Sequence, residues 1–197
     1  MRRLDALRAI YPTLEKSVVV TIMGAVAAEL QSLGHRPNFF YLQHAMGLAS
    51  SLGLGIALTR PERRVIVLDG DGSLLMNLGG LTTLARYQPA NLTHIVFDNE
   101  SLLSVGGFPT ATSTGSDLAG MAAAAGIPRT ATVRSADELV RSLGDAIEDL
   151  ELATIVVKVD AHYEPPRGTA GFVTDLSLLE NRFQFARWLQ AAAGQRP

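Results

Sequence analysis

Cysteine is absent from this 197-residue chain, which excludes disulfides, thiolate metal sites and a cysteine nucleophile. Charged residues are also sparse, at 18%, and the formal net charge is −2. This balance gives no general attraction to nucleic acids or to anionic membranes, and no basic stripe with interleaved aromatic residues is visible. We therefore expect no nucleic-acid partner. A chain without cysteine is typical of the cytoplasm, which is the expected location.

Formal charge is missing altogether from residues 37–59, a stretch long enough to cross a bilayer. Gln43, His44, two serines and several glycines argue against contact with lipid. Charged residues also interrupt the start of the chain, so we expect no secretory signal. The uncharged stretch instead predicts a buried helix over Ala45 to Leu58, and no membrane partner is expected.

Apolar strand-like runs alternate along the chain with helical patterns, and hydrophobic residues make up 47% of it. The predicted strands cover residues 18–22, 39–42, 65–68, 95–97, 130–133 and 153–159. The predicted helices cover residues 4–10, 25–33, 45–58, about 73–84, 117–125, 136–150 and 178–188, with a loop at 165–168. Such alternation predicts an α/β fold with a doubly wound, mainly parallel six-stranded sheet and helices on both faces. No linker divides the chain, so we expect one domain over residues 1–197.

Two of the predicted strands end in polar residues. Val65 to Leu68 is followed by Asp69-Gly70-Asp71-Gly72-Ser73, and the strand at 95–97 is followed by Asp98-Asn99. In an open parallel sheet, ligands bind at the carboxyl ends of the strands. The oxygens of Asp71 and Asn99 are therefore expected to meet at one ligand site.

The residue types at these strand ends suit a phosphate and a metal ion. Gly70 and Gly72 allow the backbone to turn sharply and to approach a ligand closely. Ser73 and the first amides of the following helix favour an anion, and phosphate most of all. Asp71 and Asn99 provide the hard oxygen donors that Mg²⁺ takes beside a phosphate.

Three other interpretations fit parts of the motif. An acidic glycine-rich turn is the simplest, and a dinucleotide fingerprint would need a third glycine where Leu75 stands. Asp69 to Ser73 also fits the Asp-x-Asp-Gly-Thr/Ser nucleophile motif of haloacid-dehalogenase-like phosphatases. That family needs a downstream lysine and an acidic pair, whereas Lys158 is the only downstream lysine and no Asp-Asp pair exists.

Gly70-Asp71-Gly72 followed by Asn99, 28 residues after Asp71, resembles the signature of thiamine diphosphate (ThDP) enzymes. The likeness is to their diphosphate-binding domain and extends over nearly the whole chain. It implies that Asp71, the Asn99 side chain and the Ser101 backbone carbonyl hold Mg²⁺ against the diphosphate. It implies cofactor contacts from Gly24, His44, Ala45, Met46, Gly70, Asp71, Gly72, Ser73, Asn99 and Ser101.

Within that family, the chain is most similar to the phosphonopyruvate decarboxylases and to the beta subunit of sulfopyruvate decarboxylase. Residues 41–50, YLQHAMGLAS, stand where the family tends to have Gly-Ser-Met-Gly-His-Ala-Ser, and residues 104–110, SVGGFPT, match its Ser-Val-Gly-Gly-Gln-Pro-Thr. The resemblance implies that Met46 bends the cofactor between its two rings. It also implies that the His44 backbone accepts a hydrogen bond from the aminopyrimidine, and the His44 ring is the one candidate for a catalytic role.

Two departures from the family pattern concern the substrate. The family's Gly-Lys-Thr-Ser-Arg is replaced by Gly24-Ala25-Val26-Ala27-Ala28, and Phe108 replaces a glutamine. Polar groups that could bind a phosphonate or sulfonate are therefore missing. We expect Phe108 to contact a 2-oxo acid whose tail is less charged than that of phosphonopyruvate or sulfopyruvate and could be aromatic.

The resemblance also implies that part of the active site lies elsewhere. In this superfamily, a glutamate from a pyrimidine-binding domain activates the cofactor, and neither Glu15, Glu29 nor Glu100 matches that role. We therefore expect a separate pyrimidine-binding, alpha-type subunit and an even-numbered hetero-oligomer. The predicted function is a ThDP- and Mg²⁺-dependent lyase subunit, decarboxylase or carboligase, inactive without its partner. A non-catalytic ThDP-fold binding or regulatory subunit is the alternative.

Overall fold

The computed structural model describes residues 1–162 and 176–191. Its strands are β1 (Val18–Thr21), β2 (Phe39–Tyr41), β3 (Val65–Gly70), β4 (Leu92–Asp98), β5 (Ser101–Leu102), β6 (Phe108–Pro109), β7 (Arg129–Val133) and β8 (Ala153–Lys158). Six of them form a parallel sheet in the order β2-β1-β3-β4-β8-β7, and β5 and β6 form a small antiparallel hairpin. The prediction of a six-stranded parallel α/β sheet is confirmed.

Helices connect the strands and pack in two groups. They are α1 (Arg3–Leu14), α2 (Ala25–Ser32), α3 (Ala49–Thr59), α4 (Asp71–Leu75), α5 (Gly79–Tyr87), α6 (Leu118–Ala124), α7 (Ala136–Glu148) and α8 (Leu178–Ala191), with 3-10 turns at Leu103–Val105 and Ala111–Thr114. Helix α1 contacts α2 and α7, whereas α3 contacts α5. None of the helices in the described ranges has the length and apolarity that crossing a bilayer requires.

The sheet is the centre of the hydrophobic core. Every residue of β1 and of β4 is buried, and so is β3 from Val65 to Asp69. Apart from Asp69, His94 and Asp98, the buried residues of these strands are apolar or β-branched, which is the pattern of a parallel sheet that is covered on both faces. At the edge, the Asn181 amide of α8 donates to the Phe39 carbonyl and accepts from the Tyr41 amide, so α8 satisfies backbone groups of β2.

Two predicted helices differ from those observed. The helix expected over Ala45 to Leu58 begins only at Ala49, because Gly47 adopts a positive φ of 83° that a right-handed helix does not allow. The helix expected from about Ser73 onward is divided into α4 and α5. At the division, Met76 and Asn77 bond three residues back to the carbonyls of Ser73 and Leu74, a tighter turn that ends α4.

Other local predictions were confirmed, missed or untested. The helix predicted at residues 136–150 is present as α7, and it begins with a capping box in which the Glu138 amide donates to Ser135 Oγ at 3.2 Å. The β5–β6 hairpin was not predicted, because two-residue strands are too short to show a hydrophobic period. The loop predicted at 165–168 lies outside the described residues.

Candidate functional site

An open cleft of about 530 Å³ lies at the carboxyl ends of β1, β3 and β4. Strand order reverses between β1 and β3, and such a switch point leaves a crevice between the loops of neighbouring strands. Eight of the ten cofactor-binding residues predicted from the sequence line this cleft. They are Gly24, Met46, Gly70, Asp71, Gly72, Ser73, Asn99 and Ser101.

Asp71, the first residue of α4, is a buried carboxylate at the wall of the cleft. Its Oδ2 accepts a hydrogen bond from the Thr110 hydroxyl at 2.5 Å and lies 3.3 Å from the Thr112 hydroxyl oxygen. Burial raises the pKa of Asp71 above its usual range; the Thr110 hydroxyl opposes that rise and the charge of Asp98 adds to it. A buried carboxylate with a raised pKa lacks a cation, which is what a bound metal ion would supply.

Asp98, at the end of β4, is connected to Asp71 through the Thr112 hydroxyl. The Thr112 hydroxyl donates to Asp98 Oδ1 at 2.7 Å, and the two threonine hydroxyls lie 2.8 Å apart. Lys158 at the end of β8 donates to Asp98 Oδ2 at 2.7 Å and to Glu100 at 2.8 Å. Burial alone would lower the pKa of Lys158, but these carboxylate contacts raise it. The lysine charge therefore compensates Asp98 rather than Asp71.

The loop that carries Met46 is fixed by α4 and the turn after it. The Gly47 amide donates to Ser73 Oγ at 2.9 Å, and Asn77 Nδ2 donates to the Gly47 carbonyl at 2.8 Å. A Cβ placed on Gly47 would lie 2.9 Å from the Cβ of Asn77, so the close approach requires glycine there. These bonds hold Met46 at the cleft although residues 45–48 are not helical.

The donor set at the cleft fits a magnesium ion bound together with phosphate oxygens. Asp71 and Asn99 are both buried, and Asn99 Oδ1 also accepts from the Ser101 amide at 3.3 Å. No group of three or more histidine, cysteine or acidic side chains in residues 1–162 and 176–191 could hold a metal alone. A hard ion at this cleft would therefore take one carboxylate, one amide oxygen and a backbone carbonyl, and complete its shell from the ligand or water.

Three predicted site residues do not line the cleft. His44 is exposed with a positive φ of 52°, and its amide donates to the Met23 sulfur at 2.9 Å. Ala45 lies beside it and is absent from the lining residues. Phe108 lies on the β5–β6 hairpin and is 65% exposed, whereas its strand partner Leu102 lines the cleft. Any contact between Phe108 and a substrate would be made at the rim.

Asp69 has surroundings quite different from those of Asp71. It is 1% exposed, its Oδ1 accepts from the Gly70 amide, and its Oδ2 lies 3.2 Å from His94 Nε2. His94 is itself fully buried in β4. The phosphatase alternative needs Asp69 as an accessible nucleophile, so this geometry argues against it.

Four residues of the site were not assigned by sequence reasoning: Arg3, Asn77, Thr110 and Thr112. Thr110 closes the 104–110 motif, which could have drawn attention to it. Arg3 lines the cleft from the first helix, 18 positions before Thr21 at the end of β1, and nothing in the sequence indicates that contact. Asn77 and Thr112 are residue types that are common in turns, so only their contacts in the structure show that they belong to the site.

Comparisons with known proteins agree with this geometry. Residues 21–157 match the family described as thiamine pyrophosphate enzyme, C-terminal TPP binding domain. Sulfopyruvate decarboxylase subunit beta of Methanocaldococcus jannaschii is 35% identical over 164 residues, 83% of this chain and 86% of that protein. The subunit of the same name from Methanothermobacter thermautotrophicus is 46% identical over 106 residues, covering 54% of this chain and 57% of that one. Phosphonopyruvate decarboxylase of Streptomyces viridochromogenes is 41% identical over 146 residues, 74% of this chain.

The chain spans only part of several relatives: 57% of the Methanothermobacter subunit and 36% of the Streptomyces enzyme. Among solved structures, benzoylformate decarboxylase from Polynucleobacter necessarius is similar in fold, with a TM-score of 0.69 at 21% identity. That likeness covers 84% of this chain and 34% of the other. With the family matched over residues 21–157 and Asp71, Asn99 and Ser73 at one cleft, the chain belongs to the thiamine pyrophosphate enzymes, through their C-terminal TPP-binding domain.

Proposed function

We propose that this chain is the diphosphate- and Mg²⁺-binding subunit of a two-chain ThDP-dependent lyase that decarboxylates a 2-oxo acid or joins its aldehyde to a second carbonyl. The observation that carries the proposal is the meeting of Gly24, Asp71 and Asn99, from the ends of three strands, at one cleft. Bound thiamine diphosphate supplies an electron sink for carbanion chemistry. The two relatives named subunit beta support a partner chain.

In this proposal, each side of the cleft has a separate task. Asp71, Asn99 and the Ser101 carbonyl hold Mg²⁺, while Ser73 and the glycines at 70 and 72 let the backbone approach the diphosphate. Thr110 fixes the orientation of the Asp71 carboxylate by its hydrogen bond to Oδ2. The Gly47 contacts with Ser73 and Asn77 hold the loop that carries Met46, and Met46 would bend the cofactor between its two rings.

The proposal of a partner chain rests on a side chain that the described lining of the cleft lacks. No glutamate is present among the described residues that line it, and a carboxylate is needed to activate the aminopyrimidine. A separate pyrimidine-binding subunit would bring that carboxylate, with this chain forming one diphosphate-binding domain over residues 1–197. Closed symmetry would then give an even-numbered hetero-oligomer. The same observation favours the second candidate, a non-catalytic cofactor-binding subunit.

The proposed substrate is a 2-oxo acid with a less charged tail than sulfopyruvate or phosphonopyruvate. The side chains of Ala25 and Val26 at the cleft are apolar, and Phe108 is exposed near its rim. Next to Ala25 and Val26, a charged tail would lose its hydration without gaining a partner from these side chains, which disfavours a charged substrate.

A substrate panel on the assembled two-chain complex tests the proposal. We expect release of carbon dioxide to be faster with benzoylformate or pyruvate than with sulfopyruvate or phosphonopyruvate. Phe108→Gln should move that preference toward the charged substrates by about tenfold, and Phe108→Leu, the matched apolar control, should not. Faster turnover of sulfopyruvate than of every apolar 2-oxo acid would contradict the substrate assignment. No turnover of any 2-oxo acid by a complex that binds ThDP would favour the non-catalytic candidate.

A further inference from the structure

Arg3 and Glu29 form an ion pair that is almost completely withdrawn from solvent. Arg3 is the first residue of α1, and Glu29 lies in α2. Arg3 Nε donates to Glu29 Oε2 at 2.9 Å and Nη2 donates to Oε1 at 2.9 Å, with side-chain exposures of 4% and 7%. This fork-to-fork geometry fixes the plane of the guanidinium as well as its position.

The third nitrogen of this guanidinium is not used by the pair. Arg3 Nη1 has no hydrogen-bond partner in residues 1–162 and 176–191. It is also not among the buried polar atoms that lack a partner, which are Arg60 Nε, His94 Nδ1 and Thr154 Oγ1. Nη1 therefore keeps contact with open space. Arg3 is also one of the residues that line the cleft.

The surroundings of Arg3 are short of other anion-binding groups. It lines the cleft beside the turn from Gly24 to Val26, which leads into α2 and has no hydroxyl or charged side chain. Asp71, which also lines the cleft, is an acid. Arg3 is thus the one cationic side chain among the described residues that line the cleft.

We propose that Arg3 recognises an anionic oxygen of the ligand bound in the cleft, through the two N–H groups of Nη1, and that Glu29 is its positioning residue. The inference rests on the proposed function, since it places a ThDP ligand in this cleft. Two sources provide the same chemistry: the diphosphate of the cofactor and an acid group of the 2-oxo acid. Glu29 balances the charge of Arg3, so the contact is a directed, charge-assisted hydrogen bond rather than a long-range attraction.

The test uses the 197-residue chain and the variant Arg3→Met/Glu29→Met, which replaces both charges by apolar side chains and leaves neither charge buried alone. The unliganded variant should melt within a few degrees of the parent. If Arg3 binds the diphosphate, dissociation constants for ThDP and for inorganic pyrophosphate, both with Mg²⁺, should rise about tenfold by calorimetry. Binding of thiamine, which has no diphosphate, should not change.

The second arm uses the complex assembled with its pyrimidine-domain subunit. If Arg3 binds the 2-oxo acid, the dissociation constants should be unchanged while KM rises about tenfold. Contact with the carboxylate that all 2-oxo acids share should raise the KM of both benzoylformate and sulfopyruvate, whereas contact with a charged tail should raise only the KM of sulfopyruvate. That result would also contradict the apolar-tail assignment of the substrate. Unchanged affinities together with unchanged KM values would overturn the proposal, because the ion pair would then be structural only.

A further variant covers the case in which the double substitution prevents folding. Arg3→Lys keeps a cation that can pair with Glu29 but has no second nitrogen to reach the cleft. It should therefore raise the dissociation constants or the KM values that the double variant raises. Parent-like constants in Arg3→Lys would overturn the proposal. Failure of the parent chain itself to bind ThDP or pyrophosphate would instead defeat the proposed function. The two failures are therefore distinguishable.

Discussion

Asp71 and Asp69 stand two positions apart in one motif, yet their surroundings give them different tasks. Asp71 lines the cleft, and its pKa is raised. Asp69 is buried and lies next to His94. In a strand, residues two apart point to the same face, but α4 begins at Asp71 and turns its side chain away from that row. The end of β3 therefore separates a carboxylate that lines the cleft from one that is enclosed in the protein.

We predict that Asp71→Ala abolishes Mg²⁺-dependent binding of ThDP, because it removes the only carboxylate that lines the cleft in the described part of the chain. Calorimetry of the parent with and without a chelator measures the dependence on the metal. Asp69→Ala is the matched variant and should lower stability by about 1–3 kcal/mol, since it leaves the buried His94 without its partner. Equal ThDP affinity of the parent in EDTA would refute the metal assignment, and tight binding by Asp71→Ala would refute the role of that residue.

The raised pKa of Asp71 predicts how ligand binding depends on pH. Metal binding needs the carboxylate, so affinity for Mg²⁺ with ThDP should fall as the pH drops through the raised pKa, above the usual range of an aspartate. Without ligand the sign is opposite: the protonated form suits the fold better, so this contribution to stability is present at low pH and is lost as the pH rises through that pKa.

Calorimetry in two buffers of different ionisation enthalpy measures the proton released on binding. Melting curves of the unliganded parent and of Asp71→Asn across the same pH range isolate the contribution of the carboxyl, because the amide does not titrate. A parent that loses stability no faster than Asp71→Asn as the pH rises would contradict this sign of the pH dependence.

At the scale of elements, the contact between α3 and β3 positions the loop that carries Met46. A Cβ placed on Gly53 would lie 2.2 Å from Cγ2 of Val67, so the helix touches the strand with no room for a methyl group. Helix α3 begins two residues after Gly47, and its distance from the sheet therefore affects where that loop lies.

Gly53→Ala should consequently destabilise the protein by about 1–3 kcal/mol, because α3 would have to move away from β3. Gly55 is the matched control in the same helix, since a Cβ there would meet nothing within 4 Å. Gly55→Ala should be neutral or stabilising by up to about 1 kcal/mol, as alanine is the better helix former. Urea unfolding of both variants gives the comparison, and similar effects from the two substitutions would contradict this account of the packing.

On the scale of the whole molecule, apolar side chains remain exposed on the loops around the cleft. Val105 and Phe108 lie on or beside the β5–β6 hairpin, and Leu48 and Met76 lie on the two segments joined through Gly47. Exposed apolar groups gathered around a ligand cleft are typical of a surface that a partner covers.

We predict that the isolated chain has no decarboxylase activity with ThDP and Mg²⁺, and that a pyrimidine-domain subunit restores it. The reason is that no glutamate among the described lining residues can activate the aminopyrimidine. Turnover by the purified chain, by the partner and by the mixture gives the answer, with ThDP binding as the control for folding. An isolated chain that turned over a 2-oxo acid at about 1 per second or faster would refute the need for a partner.

The architecture and most of the cleft-lining residues follow from local patterns in the sequence. Apolar β-branched runs alternating with helices specified six parallel strands, because the period and burial of a strand are local properties of the chain. The motif at residues 69–73 and Asn99 were assigned to one site because parallel strands all end at the same edge. Eight of ten predicted cofactor residues met there for that reason.

Contacts between distant segments, in contrast, depend on how the folded elements pack. Arg3 reaches the cleft because α1 packs on α2, Thr110 reaches Asp71 because β5 and β6 pair, and Asn77 fixes Gly47 across 30 positions. The tertiary structure also decided that Phe108 lies at the rim and that α3 starts after Met46. Such contacts depend on how whole elements pack against each other, and local sequence patterns do not predict that packing.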